Sequence, residues 1–352
     1  MHFGNGKTRH RKPKDRKEKA MKRYLIWAGV VYLLLLLFPL PLLGKSELDK
    51  NNNKPYSERT SPSASDKDTK TQEVFRLLDT DTGVVYDVSE KDFVIGSVGA
   101  EMYPTYHTEA LKAQAVASYT YYSVLRKRHR TNPDSALKGA DFADTQSGYS
   151  VFYTTEQLKE RWGKSFDTYY KKMSEAVNAV FGKLIQYDGE PITAVYHAIS
   201  IGTTEDAAVM WGTSYPYLQP VASPGDKLSP AYQSTASFKP EELKSKLSKI
   251  KDVTITGTPE TWLGNDLQTS ASGTVTRLSV CKTALTGIQI REALGLRSAS
   301  FSVKYTDGSF VFTVFGYGHN VGMSQYGADY LARQGMKYDE ILHYYYTNVN
   351  IG

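Results

Sequence analysis

The sequence has little cysteine: Cys281 is the only one in 352 residues, so no intrachain disulfide is possible. That fits a cytosolic protein, and equally an exported one from an organism that seldom uses disulfides. Metal-ligand clusters are also missing. A structural zinc site needs close-spaced His, Cys and carboxylate ligands. Here His107, His129, His197, His319 and His343 are scattered and no HExxH occurs. No metal and no cofactor are expected. A Cys/His nucleophile pair on Cys281 is formally possible, but residues 276–281 read as a strand, where cysteine behaves as a small hydrophobe. The glycine-rich run GYGHNVG at 316–322 lacks the Lys-Ser/Thr that follows a phosphate loop. Its glycines suit either a close backbone approach to a ligand, with His319, Gln325 and Tyr326 facing it, or a tight turn before the last helices. No repeat of 20–50 residues is present.

A basic body is missing as well, despite the net charge of +6. Residues 1–23 hold ten Lys/Arg against two acids, so the rest of the chain is slightly acidic. The basic pI belongs to a tail, and no nucleic-acid partner is expected. The chain is not disordered as a whole, since 40% of it is hydrophobic and tyrosines number 26.

What is present divides the chain into four parts. Residues 1–23 form a basic tail. Residues 24–43 are uncharged and include five consecutive leucines, long enough to span a bilayer. A cleaved signal peptide is the rival reading, but its apolar region is usually shorter and ends in a small-x-small site, which is not evident here. The anchor reading is favoured. The preceding basic cluster then keeps the N-terminus in the cytoplasm. Residues 44–72 are rich in Asn, Ser, Asp and Lys and read as a flexible tether. The folded body is expected from 73 to 352.

Within that body one stretch organises the rest. Ser89 followed by Asp92 fits a helix start. Phe93, Val94, Val98 and Met102 give the helix one apolar face. Glu101 sits beside that face at the last turn, and Tyr103-Pro104 stops the helix. A second helix begins near Thr108. A carboxylate at such a helix end, half in an apolar seam, can have its pKa raised by desolvation, as a general acid at neutral pH requires. It can equally be an ordinary solvated glutamate. Strands are expected at 74–78, 84–88, 183–187, 192–199, 300–305 and 310–315, with helices at 155–182 (two), 239–250, 288–294, 323–334 and 338–346. The stretch 131–154 reads as an irregular loop.

Three segments carry a resemblance: VIGSVGAEMYP with EALKAQAVASYTYY, YHAISIGTTEDA with WGTSYPYL, and GYGHNVGMSQYGADYLARQG with YDEILHYYY. Together, in this order behind one apolar span, they resemble the stage II sporulation protein D (SpoIID) family over roughly residues 74–350. The resemblance implies a membrane-anchored peptidoglycan lytic transglycosylase, acting in engulfment during sporulation on glycan strands that have lost their stem peptides. It implies that Glu101, in Ala-Glu-Met, is the catalytic acid. Lys112, Gln114, His197, Ser200, Thr204, Glu205, His319 and Gln325 would line the substrate groove. A membrane-anchored amidase or endopeptidase and a membrane scaffold protein would be partners, and the location would be the mother-cell septal or engulfing membrane. The alternative is a non-enzymatic glycan-binding module that stimulates a partner amidase. Three positions depart from the family pattern. Thr203 stands where a second glycine is frequent, Tyr119 stands where an arginine is frequent, and the loop 131–154 has none of the cysteines that some members carry there. The fold expected is α+β: a helical lobe with Glu101 packed on a strand-rich lobe, a groove between them, and one transmembrane helix before them.

Overall fold

The computed structural model describes residues 73–146 and 149–352. The expected basic tail, membrane span and tether lie outside the described residues. Among the described residues no helix is long and apolar enough to cross a membrane.

The body opens with an antiparallel hairpin of β1 (Val74–Leu78) and β2 (Val85–Ser89). Asp79 makes the turn, its carboxylate accepting from the amides of Asp81 and Thr82. Ser89 ends β2 and caps α1 (Glu90–Glu101), accepting from the amide of Asp92. Met102 leaves the helical conformation just before Tyr103-Pro104, so α1 stops at the expected place. The long helix α2 (Thr108–Thr131) follows, capped by His107. Its buried residues are mostly small, including Ala110, Ala113, Ala115, Ala117 and Ser118. Small side chains allow close backbone approach, and α2 is accordingly the helix that the others pack around.

The stretch 131–154 is more ordered than expected. β3 (Phe142–Ala143) adds in parallel to β1, and β4 (Thr145–Gln146) pairs with β5 (Tyr149–Ser150). Asp141 drives this. Its carboxylate accepts from Arg130 and from the amide of Arg76, stitching the loop to α2 and β1. Next come α3 (Thr155–Trp162), α4 (Phe166–Asn178) and the short hairpin β6 (Ile185–Tyr187) and β7 (Glu190–Pro191).

The expected strand 192–199 reduces to β8 (Tyr196–His197). Its partner is far away in the chain, so local pattern could not delimit it. After α5 (Ala207–Trp211) come β9 (Gln233–Phe238), α6 (Pro240–Leu247), β10 (Gln268–Thr269), β11 (Val275–Val280), β12 (Thr283–Leu285) and α7 (Gly287–Leu294). β11 ends before Cys281, which lies in a turn with φ of 52°. The hairpin β13 (Phe301–Thr306) and β14 (Ser309–Phe315) is as expected, and β9 pairs on its open side. The chain closes with β15 (Met323–Ser324), α8 (Gln325–Arg333), α9 (Tyr338–Tyr345) and β16 (Asn350–Ile351).

The fold is therefore mixed α+β, with helices and several small sheets. Two separate hydrophobic cores correspond to two regions. One gathers α1, α2, α4, α8 and α9 around Phe93, Leu111, Met173, Ile341 and Tyr345. The other gathers α6, α7 and strands β9 to β14 around Leu243, Trp262, Leu278, Phe310 and Phe312. Each fully buried large apolar side chain contributes about 1.5–3 kcal/mol by leaving water.

Position 119, where the resemblance implied an arginine, is a tyrosine. Tyr119 donates to Glu90 at 3.0 Å. Arg126, two helical turns further along the same face, supplies the cation to Glu90 and reaches Glu73 at 3.3 Å. Its guanidinium also lies 4.8 Å over the ring of Phe75.

Candidate active site

Glu101 is the last residue of α1. This is the wrong end of a helix for an anion, because the backbone carbonyls there carry partial negative charge. The residue is exposed to solvent, yet protein surrounds it closely enough that desolvation pushes its pKa up. Both hold for a group in a recess: water reaches the carboxyl, while most directions from it lead into protein. Among the described residues Glu101 joins no ion pair.

One hydrogen bond positions it. Gln325 Nε2 donates to Glu101 Oε2 at 3.1 Å. Gln325 opens α8 directly after Ser324, which caps that helix by accepting from the amide of Gly327. Ser324 also lies in β15, paired in parallel with His197 of β8. Its hydroxyl donates to the buried Asp226 at 2.7 Å, and Asp226 accepts from Ser200 as well. One carboxylate thus fixes both the loop after His197 and the start of α8.

The amide of Gln325 is itself oriented. It donates to Gln114 Oε1 at 3.4 Å, Gln114 Nε2 donates to Ser118 Oγ at 3.0 Å, and Ser118 donates to Tyr196 Oη at 3.3 Å. Tyr196 also bonds Tyr122. The direction of this buried chain makes Gln325 present its NH2, not its carbonyl, to Glu101. Oε2 is therefore the accepting oxygen, and Oε1 is left to carry the proton. The ionisable groups facing Glu101 are Tyr122 from α2 and Tyr196 from β8. Burial holds both hydroxyls protonated, well above the ordinary tyrosine range.

This network makes a direct prediction. The bond from Gln325 is what lowers the pKa of Glu101 against the larger effect of desolvation. Gln325→Met removes a donor to the ionised form, so the Glu101 midpoint should rise. Carbon-13 NMR titration of the labelled carboxyl reads it. An unmoved or lower midpoint would show that Gln325 does not hold this carboxylate.

The sequence-derived site residues fall into four groups. Glu101, Gln114 and Gln325 meet; Gln114 is 0% exposed and touches Glu101 only through Gln325. His197 and His319 meet each other with ring centroids 5.7 Å apart. His197 Nδ1 bonds the carbonyl of Val321, while its Nε2 is buried with no partner. His319 Nδ1 accepts from the amide of Val321. Desolvation pulls both histidines down, to about 3 and about 4, so both are neutral at pH 7. Ser200, Thr204 and Glu205 are fully buried or nearly so and engaged internally, with Asp226, the Val221 amide and Ser270 respectively. Lys112 pairs with Glu109 at 2.8 Å. Glu109 also accepts from the amide of Tyr338 at 3.0 Å, joining α2 to the start of α9.

The glycines of 316–322 approach the chain's own backbone. A Cβ on Gly318, at φ 117°, would lie 2.7 Å from the Cβ of His197, and one on Gly322 would lie 2.2 Å from the carbonyl of Val195. They let this loop lie flat along β8. The residues not foreseen are Tyr196, Ser118 and Asp226. Their only signal would have been a long-range contact. A shallow depression lined by Lys246, Lys249, Ile250, Gln289, Glu292 and Ala293 lies in the second core region. It shares no residue with the Glu101 network.

The family model described as Stage II sporulation protein matches residues 79–187, which include Glu101, Gln114, Ser118 and Tyr122. The chain is 34% identical to stage II sporulation protein D of Bacillus subtilis, over 94% of this chain and 96% of that one. It is 37% identical to the protein of the same name from Bacillus amyloliquefaciens, over 76% and 75%. It is also 28% identical to the protein named Amidase enhancer of Bacillus subtilis, over 73% of this chain and 40% of that one. The chain belongs to the stage II sporulation protein D family.

Proposed function

We propose that this protein is a lytic transglycosylase cleaving the bond between N-acetylmuramic acid and N-acetylglucosamine in peptidoglycan strands that lack stem peptides. The observation that carries the reading is the state of Glu101: reachable from solvent, desolvated, in no ion pair among the described residues, and held by one oxygen only. Protonated on Oε1, it donates to the glycosidic oxygen. Positive charge develops at the muramyl anomeric carbon, and the substrate's own N-acetyl group stabilises it. The carboxylate then takes the proton from the muramyl C6 hydroxyl as that oxygen attacks the same carbon. One C–O bond breaks, one forms, the proton returns to Glu101, and no water is consumed. A glycosidase that uses water needs a second carboxylate. An attacking hydroxyl already held in place removes that need. Exposed ring faces support the substrate class. Tyr103, 66% exposed, lies two residues after Glu101, and Trp211, 46% exposed, lies 5.2 Å from the ring of His319. Such faces stack on the apolar side of a pyranose.

The setting we infer is septal peptidoglycan remodelling and engulfment in sporulation, at the cell membrane. The protein crosses it once through residues 24–43, with the body outside, beside an amidase or endopeptidase and a membrane scaffold. A second reading has a specific support in the relative named Amidase enhancer: a glycan-binding module that stimulates an amidase and does not cut.

The test is to incubate the full-length protein with peptide-free strands in oxygen-18 water and to analyse new ends by mass spectrometry. Transglycosylation gives 1,6-anhydro ends without label. One label per new reducing end means hydrolysis. Bound but unshortened strands mean the second reading. Either of the last two results overturns the proposal.

A further inference from the structure

We propose that Arg291 and Arg297, with Tyr149, Tyr317, His319 and Trp211 around them, form a subsite for a sugar-borne carboxylate. Arg291 lies on α7 and Arg297 just beyond its end, both half-buried. Among the described residues neither guanidinium joins an ion pair. Their known contacts leave donors over. Arg291 Nε donates to the carbonyl of Leu296 at 3.4 Å, and Arg297 lies 5.3 Å over the ring of Tyr317. The acid that Arg291 feels is Glu292, an exposed neighbour outside ion-pair reach.

Two observations make this more than a pair of surface cations. Burial works against the charge of Arg291, and a desolvated cation with no anion is costly until one arrives. Aromatic groups converge on the same place. Tyr317 bonds Tyr149, and the charges of Arg291 and Arg297 both act on it. Arg291 acts on His319, whose ring lies 5.2 Å from that of Trp211. A guanidinium presents a planar fork that fits a carboxylate through two parallel bonds, and the rings offer faces for the sugar that bears it.

A chain of contacts through the protein links the patch to the acid. His319 bonds the backbone of Tyr196, and the charge of Glu101 acts on the Tyr196 hydroxyl. This inference rests on the peptidoglycan reading above and adds its selectivity. A muramyl sugar carries a lactyl ether. Its carboxyl is a free anion when the stem peptide is gone and a neutral amide when the peptide is attached. Arginines at this position select the first.

The experiment uses full-length protein carrying Glu101→Gln, so that strands stay uncut. Binding is measured to peptide-free strands and to the same strands with their lactyl carboxyls converted to methylamides. The free carboxylates should bind roughly tenfold more tightly. Arg291→Gln and Arg297→Gln should each erase most of that difference without weakening the amide form. Arg297→Lys should keep part of it, as a point charge without the fork, and Lys244→Gln, an exposed cation on the neighbouring α6 and outside the patch, should keep all of it. Equal binding of both strand types in the parent overturns the inference and leaves the glycan reading standing. So does an arginine variant that weakens both forms alike. Binding to neither form overturns both.

Discussion

Glu101→Gln should lower the yield of anhydro-ended product by roughly a thousandfold or more, within the 10²–10⁴ range that a positioned general acid contributes, since the same group also serves as the base. The amide keeps an oxygen able to accept from Gln325, so the 3.1 Å contact and the buried chain behind it survive. What is lost is the proton. Among the described residues Glu101 makes no ion pair, and burial makes its ionised form costly, so unfolding midpoints at neutral pH should hold or rise and not fall. The pH dependence follows with a definite sign. The acid must be protonated, and desolvation raises its pKa. Activity is therefore present below that raised pKa and is lost as pH rises through it. Removing the bond from Gln325 should move the same limb to higher pH while misorientation lowers the plateau. A Glu101→Gln protein that releases anhydro products at the parent rate would remove Glu101 from the mechanism altogether.

Arg126→Met should destabilise the protein by about 3–5 kcal/mol, the cost of stranding a buried charge. The charge stranded is Glu90, 6% exposed on the first turn of α1. Two effects oppose the loss. The helix N-terminus favours an anion by about 2 kcal/mol at most in such places, and Tyr119 still donates to Glu90. Neither is large enough to cancel it. Urea unfolding measures the change, and Glu90→Gln in the same chain should recover much of it by removing the stranded charge. A loss below about 1 kcal/mol would mean that Glu90 reaches water when Arg126 is gone. The experiment also bears on how the family's frequent arginine can be replaced. Here the position is tyrosine and the cation comes from seven residues further along α2.

Local sequence was a sound guide where local physics decides. The cap at Ser89, the stop before Pro104, the turn at Asp79 and the β13–β14 hairpin around Asp307-Gly308 all depend on neighbours within a few residues. The strand expected over 192–199 shows the limit. Only Tyr196 and His197 form a strand, with an isolated bridge from Ile199 to Tyr317 beyond it, because what defines β8 is β15, more than 120 residues later. The helix expected from Met323 starts at Gln325 for the same reason: pairing with β8 holds Met323 and Ser324 extended.

The order of residues by itself placed an acid at the end of a helix, because chain stiffness, capping and proline geometry act over a few residues; the single apolar face expected of that helix is not what folding made of it, since Phe93 to Gly99 are all buried. Folding decided the rest. It brought Gln325 from 224 positions away to one oxygen of that acid, buried Gln114 behind it, and set two tyrosine hydroxyls opposite. Desolvation and hydrogen-bond direction depend on which surfaces pack together, and no spacing along the chain encodes that.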